Sequence, residues 1–473
     1  MEVFNNKQKL VKSKYLHFHQ RGNDTLVYHA LFGNLTKLNT SGVKFIDLFQ
    51  EPASLDAVLH AKKRIHGLIH HLKDKFFLVP EKLDERTLIS IKLAERKTAL
   101  ESGKLINALQ LSVSQACNMK CSYCLTDRVD SGSKERLNLR NPSNRLMSFE
   151  IAKKGIETFL LIARRNGRKR FFIKFFGREP LMNWPVMARL LDHFGDGQSY
   201  DINLNWDVGT NGLLIDGGIA NKLAVHNVRV FVSMDGDADV NDLNRLTAKG
   251  KNTHGRIVRS IEMLRKRDIH TTITSVLSAN NFHHFDNRLI DFAASRGINT
   301  IVLFLAMQND DIACQKMYTT EEICRKIADI YWYGKNNGID LRGYWHNPLR
   351  RLLTMTSEIF MNNLFCDGDQ ASCSATGLQV SMEPSGDLFP CRAQSSYLGH
   401  IDRIDDMFSS NLYYRQAMRT YMNVDACRDC SLEGLCQGVC LGHCEYKYND
   451  IYKTDDRYCR VYRMLTPMLL TGK

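Results

Sequence analysis

Fourteen cysteines in 473 residues, nine of them from Cys366 onward, constrain this chain more than any other feature. In a secreted protein they would read as disulfides. The start, MEVFNNKQKLVKSKYLHFH, carries charges with no apolar run behind it, so no signal peptide is expected. Nor does any stretch reach the roughly 18 apolar residues that a membrane span requires. The thiols are therefore expected in a reducing cytoplasm, where metal or redox roles prevail over cross-linking. The formal charge of +13 is spread in short clusters such as Lys62, Lys63, Arg64 and Arg164, Arg165, Arg168, Lys169, Arg170. Such clusters read as solvated helix faces or, alternatively, as a surface for an anionic partner.

With 44% hydrophobic residues the chain is long enough for two or three domains. Residues 1–85 hold strand-like runs, YLHFH and TLVYHALF, and then a helical pattern from Ser41 with Val43, Phe45, Ile46 and Phe49. A second helix is expected after Pro52. A third pattern, Ile65, Leu68, Ile69, Leu72, Phe76, precedes the short strand FFLVP, and together these make a winged-helix-like unit. Residues 86–107 read as a helical linker. Over 108–350 six strand-like runs, LQLSVSQ, FFIKFF, INLNWDVGT, VRVFVSMDG, HTTITSVL and TIVLFLAMQ, alternate with helical patterns such as FEIAKKGIETFLLIARR. This alternation predicts an α/β fold with a parallel sheet, a partial (β/α)6 TIM-like barrel whose chemistry gathers after each strand. From 351 to 473 periodicity fades and Gly, Asp and Cys take over, so bound metal is expected to contribute to folding.

Directly after the first barrel run stands CNMKCSYC, with Cys117, Cys121 and Cys124 in CxxxCxxC spacing. Three thiolates on a short loop can hold three irons of a 4Fe-4S cube and leave the fourth iron open. Zinc is the alternative, but no paired fourth ligand lies nearby. In this position the motif resembles that of the radical S-adenosylmethionine (SAM) superfamily. The resemblance implies that SAM chelates the open iron and that one electron cleaves it to methionine and a 5′-deoxyadenosyl radical. It assigns Tyr123, before the third cysteine, to the adenine. Further motifs follow the later runs. GREP (Gly177, Arg178, Glu179, Pro180) resembles the GGEP element that holds the SAM amino group, with Arg178 in place of the second glycine. Thr210, Asn211 and Gly212 match TNG. Ser233, Asp235 and Gly236, with Asp242 and Arg245, resemble the SxDG and DxxR elements on the ribose and carboxylate side.

The C-terminal cysteines resemble the SPASM domain, which binds two auxiliary 4Fe-4S clusters and would bring the total to three. The pattern falls on Cys373, on Gly386 followed by Cys391, and on CRDCSLEGLCQGVC with Cys427, Cys430, Cys436 and Cys440. The resemblance gives Cys366, Cys373, Cys391 and Cys440 to one cluster and Cys427, Cys430, Cys436 and Cys459 to the other. Cys444 is an extra thiol that leaves the last ligand open between itself and Cys459. Cys314 and Cys324 read as core thiols.

The N-terminal segment, with LNTSGVKFIDLF and LIHHLKDKFFLV, resembles the recognition element of enzymes that modify ribosomally made peptides, in which a leader peptide adds as a strand. A nucleic-acid-reading winged helix is the alternative, but the last helix lacks an Arg-rich face. Together these resemblances imply a peptide maturase of the RiPP (ribosomally synthesised, post-translationally modified peptide) type. It would install a carbon-carbon, thioether or ether crosslink in a precursor peptide, with a flavodoxin or ferredoxin as reductant and no membrane partner. Two alternatives stay open. One is a maturase of folded proteins, of the anaerobic sulfatase-maturing kind, which carries an Asp base where this protein has Arg392. The other is a zinc-dependent nucleic-acid or scaffold protein.

Overall fold

The computed structural model describes residues 8–54, 66–124, 145–306, 314–356, 373–436 and 438–472. The helix expected after Pro52 falls mostly at 55–65, and Cys366 falls at 357–372, both outside the described residues.

Among the described residues the N-terminal part folds into two three-stranded antiparallel sheets. Strands β2 (Leu16–Arg21), β3 (Asp24–His29) and β4 (Gly33–Leu38) form a meander. Its first turn places Gly22 at φ +61, where a Cβ would be strained. Strand β1 (Lys9–Lys12) pairs with β5 (Ala53–Ser54) and β6 (Leu78–Pro80). Strands β1 and β4 were not expected from the sequence. Lys at both ends of KLVK and the charged GNLTKL mask their alternation, and TLVYHALF, read as one strand, turns at Ala30–Phe32. The Thr40–Asp47 helix starts one residue before the expected Ser41, because Asn39 caps it by accepting a 2.9 Å bond from the Gly42 amide. The Glu85–Glu101 helix over the expected linker is firmly packed. Buried Arg96 donates 3.1 Å to the Ala417 carbonyl and also to that of Thr376.

Among the described residues the main sheet has ten strands. Its parallel body runs in sequence order from β7 (Ala108–Leu111) through β8 (Arg170–Phe175), β9 (Asn203–Thr210), β10 (Arg229–Ser233), β11 (Thr271–Leu277) and β12 (Thr300–Leu305). These are the six expected runs. A further parallel strand, β13 (Asp340–Arg342), extends one edge. On the other edge β14 (Gln379–Met382) joins β7 in parallel, followed by β15 (Asp387–Phe389) and β16 (Gly399–His400) in antiparallel pairing. The cysteine-rich segment is therefore sewn into the barrel sheet by backbone hydrogen bonds. Its strands escaped the sequence reading because four residues or fewer carry no usable periodicity.

Helices cover the outer face. The Phe149–Arg165 helix buries Ala152, Ile156, Phe159, Leu160 and Ala163 along one stripe, each large apolar residue contributing about 1.5–3 kcal/mol. Gly155 on that stripe lets the helix close on β14, since a Cβ there would stand 2.3 Å from Met382 Cε. Cys314 and Cys324 are fully buried, as expected of core thiols. No helix among the described residues is long and apolar enough to cross a membrane.

Candidate radical SAM site

The Cys117–Cys124 loop leaves the C-terminal end of β7 and is tied down by its neighbours. Lys120 and Ser122 amides donate to the Leu246 and Asn244 carbonyls at 2.9 and 3.1 Å, and the Ser122 hydroxyl donates 2.6 Å to Asn244 Oδ1. The loop after β10 thus fixes the cysteine loop. Burial pushes the Cys117 thiol up to about 11 and the Cys121 thiol up to about 12. Cys117, Cys121 and Cys124 lie within electrostatic reach of one another. Thiols so desolvated stay protonated in water but give up their protons when a metal binds the sulfur.

The motif residues converge on this loop from successive strand ends. Glu179 is wholly buried. Its carboxylate accepts from the Asn211 amide at 2.7 Å, the Thr210 hydroxyl at 2.8 Å and the Leu181 amide at 3.1 Å. Desolvation outweighs these bonds and raises its carboxyl to about 7. The Glu179 amide donates 3.1 Å to the Ala116 carbonyl, and Pro180 opens a short 3-10 turn that Glu179 caps. Gly177 runs close to β7, where a Cβ would meet the Ser114 carbonyl oxygen at 3.1 Å. Asn211 Nδ2 donates 2.7 Å to Asn118 Oδ1 and lies 3.8 Å from Cys117 Sγ.

On the far side Asp235, fully buried, accepts from the Val276 amide at 2.9 Å and from the Tyr123 hydroxyl, and it pairs with Arg245 at 3.0 Å. The Arg245 guanidinium lies 5.2 Å from the Tyr123 ring centre. Half-buried Tyr123 and the buried Asp235 and Arg245 thus form one unit beside Cys121. Ser233 bonds Thr274 across β10 and β11 at 3.2 Å. Asp242 is engaged elsewhere: its Oδ1 accepts from the Thr253 and His254 amides at 3.0 and 3.1 Å at the start of the His254–Arg265 helix.

The C-terminal thiols sort into two groups by mutual electrostatic reach. Cys373, Cys391 and Cys440 neighbour one another, and Cys427, Cys430, Cys436 and Cys459 form the second set. Cys444 is fully buried between the groups, with Cys440 and Cys459 as its thiol neighbours. Among the described residues no three His, Cys, Asp or Glu side chains converge on a single-ion spacing.

The sequence marks Arg392 only as a departure from an Asp base, not as a residue that links the first group to the barrel. Arg392, beside Cys391, donates 3.4 Å to the Gly177 carbonyl and lies 5.8 Å from the Phe176 ring centre. Its amide donates 3.2 Å to Gln110 Oε1 of β7. Tyr344 lies near Cys373, Cys391, Cys440 and Arg392. A row of polar residues also crosses the inner face in register: Gln110, Lys174, Asp207 and Arg229. A charge at alternate positions inside an apolar parallel strand, as in FFIKFF and VRVFV, was the available signal.

Three cysteines and Tyr123 on the first strand's loop, a buried glutamate after the second strand and the Asp235–Arg245 pair after the fourth are the site of a radical SAM enzyme, which uses SAM and a 4Fe-4S cluster. The Radical SAM superfamily profile matches residues 111–289. The protein is related to SPASM-type maturases along nearly its whole length. It is similar to the radical SAM cyclopropyl synthase TigE of Paramaledivibacter caminithermalis, 29% identical over 98% of this chain and 96% of that protein. It is also similar to the cysteine-type anaerobic sulfatase-maturating enzyme of Clostridium perfringens, 23% identical over 74% of this chain and 92% of the relative. Among solved structures, it shares its fold with anSMEcpe with bound AdoMet, at TM-score 0.61 and 20% identity, covering 77% of this chain and 94% of that one. Streptococcus suis SuiB bound to its precursor peptide SuiA matches at TM-score 0.54 and 15% identity, covering 95% of this chain and 99% of SuiB. The zinc scaffold alternative is set aside by the superfamily match.

Proposed function

We propose that this enzyme matures a ribosomally made precursor peptide, installing a crosslink or ring in it. One observation carries the reading: Arg392, next to a thiol of the auxiliary group, touches the Gly177 carbonyl of the SAM motif. The auxiliary thiols thus border the barrel lumen where a peptide would react. The full-length relatives support it, being named a cyclopropyl synthase and a precursor-bound SuiB.

Cys117, Cys121 and Cys124 would hold the SAM-binding cluster, and their mutual proximity, partial exposure and all-thiol donor set fit it. Bound there, the cluster and SAM supply a carbon-centred radical that takes a hydrogen atom from the peptide. Glu179, Asn211 and the Gly177 backbone would orient the SAM amino group, with Ser233, Asp235 and Arg245 on its ribose and carboxylate side and Tyr123 at the adenine. Two auxiliary clusters are assigned, one to Cys373, Cys391 and Cys440 with Cys366, the other to Cys427, Cys430, Cys436 and Cys459. Cys459 is preferred over Cys444 because Cys427, Cys430 and Cys436 all neighbour it. Their chemistry would remove the electron left after hydrogen abstraction. A flavodoxin or ferredoxin in the cytoplasm would supply the reducing electron.

Residues 1–85 would be the winged-helix-like recognition element, 86–107 its packed connector, 108–350 the radical SAM barrel and 351–473 the SPASM domain. Strand β2 ends its sheet among the described residues, and a cavity of about 400 Å³ beside it is lined by Lys12, Phe18, Gln20, Thr25, Val43 and Asp47. Such a sheet edge next to a mixed cavity suits a leader peptide docking as a strand. Arg392 argues against the sulfatase-maturing alternative, since a guanidinium cannot accept the proton that an aspartate there would take.

The test is direct. Candidate precursors read from open reading frames beside the gene are incubated without oxygen with reconstituted enzyme, SAM and dithionite. Loss of two hydrogens from one precursor, dependent on its leader, is expected. Release of 5′-deoxyadenosine with every precursor left intact would overturn the reading.

A further inference from the structure

A buried guanidinium stands where the two C-terminal thiol groups meet. Arg419 follows the Asn411–Ala417 helix, its amide donating 3.3 Å to the Gln416 carbonyl, and only 2% of it is exposed. Its Nε donates 3.1 Å to the Ile451 carbonyl. The guanidinium also lies flush against Gly438, where a Cβ would stand 2.5 Å from Nη2 and 2.8 Å from Nη1. A φ of +87 at Gly438 favours glycine for a second reason. Gly438 lies in the short segment between Cys436 of the second thiol group and Cys440 of the first, and its carbonyl oxygen is 3.6 Å from Cys436 Sγ. The Arg419 charge favours the thiolate of Cys427 in the second group, of Cys373 in the first and of Cys444 between them.

Other cations serve one group each. Arg351, fully buried, donates 3.1 Å to the Leu435 carbonyl and has Cys436 as its thiol neighbour. Arg392 acts on Cys440 in the first group. The buried Glu433 near Cys427 is already met by Arg86 at 2.7 Å, so it does not cancel Arg419. A 4Fe-4S core held by four thiolates is negative and gains one more negative charge on reduction. A fixed cation beside it in a poorly polarisable interior stabilises the reduced form, and burial keeps salt from screening the effect. The benefit is mutual, since a buried guanidinium is itself stabilised by nearby negative charge.

We infer that Arg419 is a positioning residue common to both auxiliary centres, bracing the Cys436–Cys440 segment and raising the reduction potential of each centre so that an electron passes between them. The inference rests on the two-cluster assignment made above. In that transfer one centre loses one electron and the other gains it, and no bond or proton moves.

The test uses the full chain carrying Cys117→Ala, Cys121→Ala and Cys124→Ala, reconstituted without oxygen, so that the two auxiliary centres alone are titrated with dithionite and followed by electron paramagnetic resonance. Adding Arg419→Gln should lower both couples, the reduced-to-oxidised ratio at a fixed potential falling about tenfold, or about 59 mV for one electron. Arg419→Lys, which keeps the charge, should hold both couples within about threefold of the parent. Arg351→Gln should lower one couple and leave the other in place. Should Arg419→Gln take up fewer than about eight irons, Arg419→Met, uncharged and of similar length, replaces it. Couples that stay put while the thermal midpoint drops would reduce Arg419 to a structural brace and overturn the inference. So would movement of a single couple by Arg419→Gln, or an Arg419→Lys variant that behaves like Arg419→Gln. A parent with fewer than about four irons would retire the two-cluster assignment and the inference with it. No precursor enters the assay, so the maturase reading can fail without altering its result.

Discussion

Buried polar groups do most of the specifying at the site, and each has partners that a substitution would strand. Glu179 satisfies three donors with two oxygens, so Glu179→Gln forces its amide nitrogen against at least one of them. SAM affinity should fall at least about tenfold, the cost of a charge-assisted bond of about 1.5–3 kcal/mol. The wild type carries its own pH signature. With the carboxyl raised to about 7, the group is anionic only above that value, so SAM binding should weaken as pH falls through about 7. Isothermal titration at pH 6 and 8 checks this, and equal affinities would contradict it. Asp455 shows the opposite shift. Its carboxylate accepts from His443 at 2.9 Å, Lys447 at 2.7 Å and Arg457 at 2.8 Å, which together hold it well below the usual carboxylate range. A depressed folded value means that its stabilisation is complete above the unfolded carboxylate value of about 4 and is lost as pH falls through the folded one. Asp455→Asn should therefore lower stability at neutral pH by about 2 kcal/mol and flatten the acid limb of the thermal midpoint. An unchanged midpoint at pH 7 would count against that role.

Between elements, the N-terminal meander and the Glu85–Glu101 helix are built onto the loop that carries the second thiol group. The Gly434 amide donates 2.9 Å to the Ala30 carbonyl, and Arg86 pairs with Glu433 at 2.7 Å and with Asp429 at 3.3 Å. A Cβ at Gly434 would stand 2.2 Å from the Leu31 carbonyl oxygen, a backbone atom that cannot swing aside. Gly434→Ala should cost about 1–3 kcal/mol and loosen the loop, read as a lower thermal midpoint and faster iron loss to a chelator. Retention of both at wild-type values would refute the coupling. The same packing means that deleting residues 1–85 would uncover Leu435 and the Cys430–Cys436 loop, so point changes at the leader cavity isolate recognition more cleanly. The elements legible in the sequence are those long enough to show a period, such as the Phe149–Arg165 helix and the six central strands. Strand β14 was not legible. Its four residues gain their identity from pairing with β7, a contact between positions some 270 apart in the sequence.

At the scale of the whole molecule, one continuous sheet carries the first thiol set after β7 and Cys391 after β15, while Cys427, Cys430, Cys436 and Cys459 lie on the turns and helices that follow it. The first set was legible because its three members share eight residues of sequence, CNMKCSYC. The ring pairs Phe176–Phe231 and Phe304–Tyr344 and their neighbour Arg392 were not, because they meet only when the barrel closes and the cysteine-rich segment folds back. That closure leads to an expectation for Arg392→Ala: release of 5′-deoxyadenosine should persist while precursor modification drops by about tenfold or more, and parallel loss of both would place Arg392 in SAM binding instead. The measurement that bears most directly on the central claim compares the wild type with the Cys117→Ala, Cys121→Ala, Cys124→Ala triple variant. Both are reconstituted without oxygen and assayed for iron, labile sulfide and 5′-deoxyadenosine. The wild type should hold about twelve irons with matching sulfide and cleave SAM, whereas the variant should hold about eight and release none. Zinc without sulfide in the wild type, or full release of 5′-deoxyadenosine from the variant, would contradict the account.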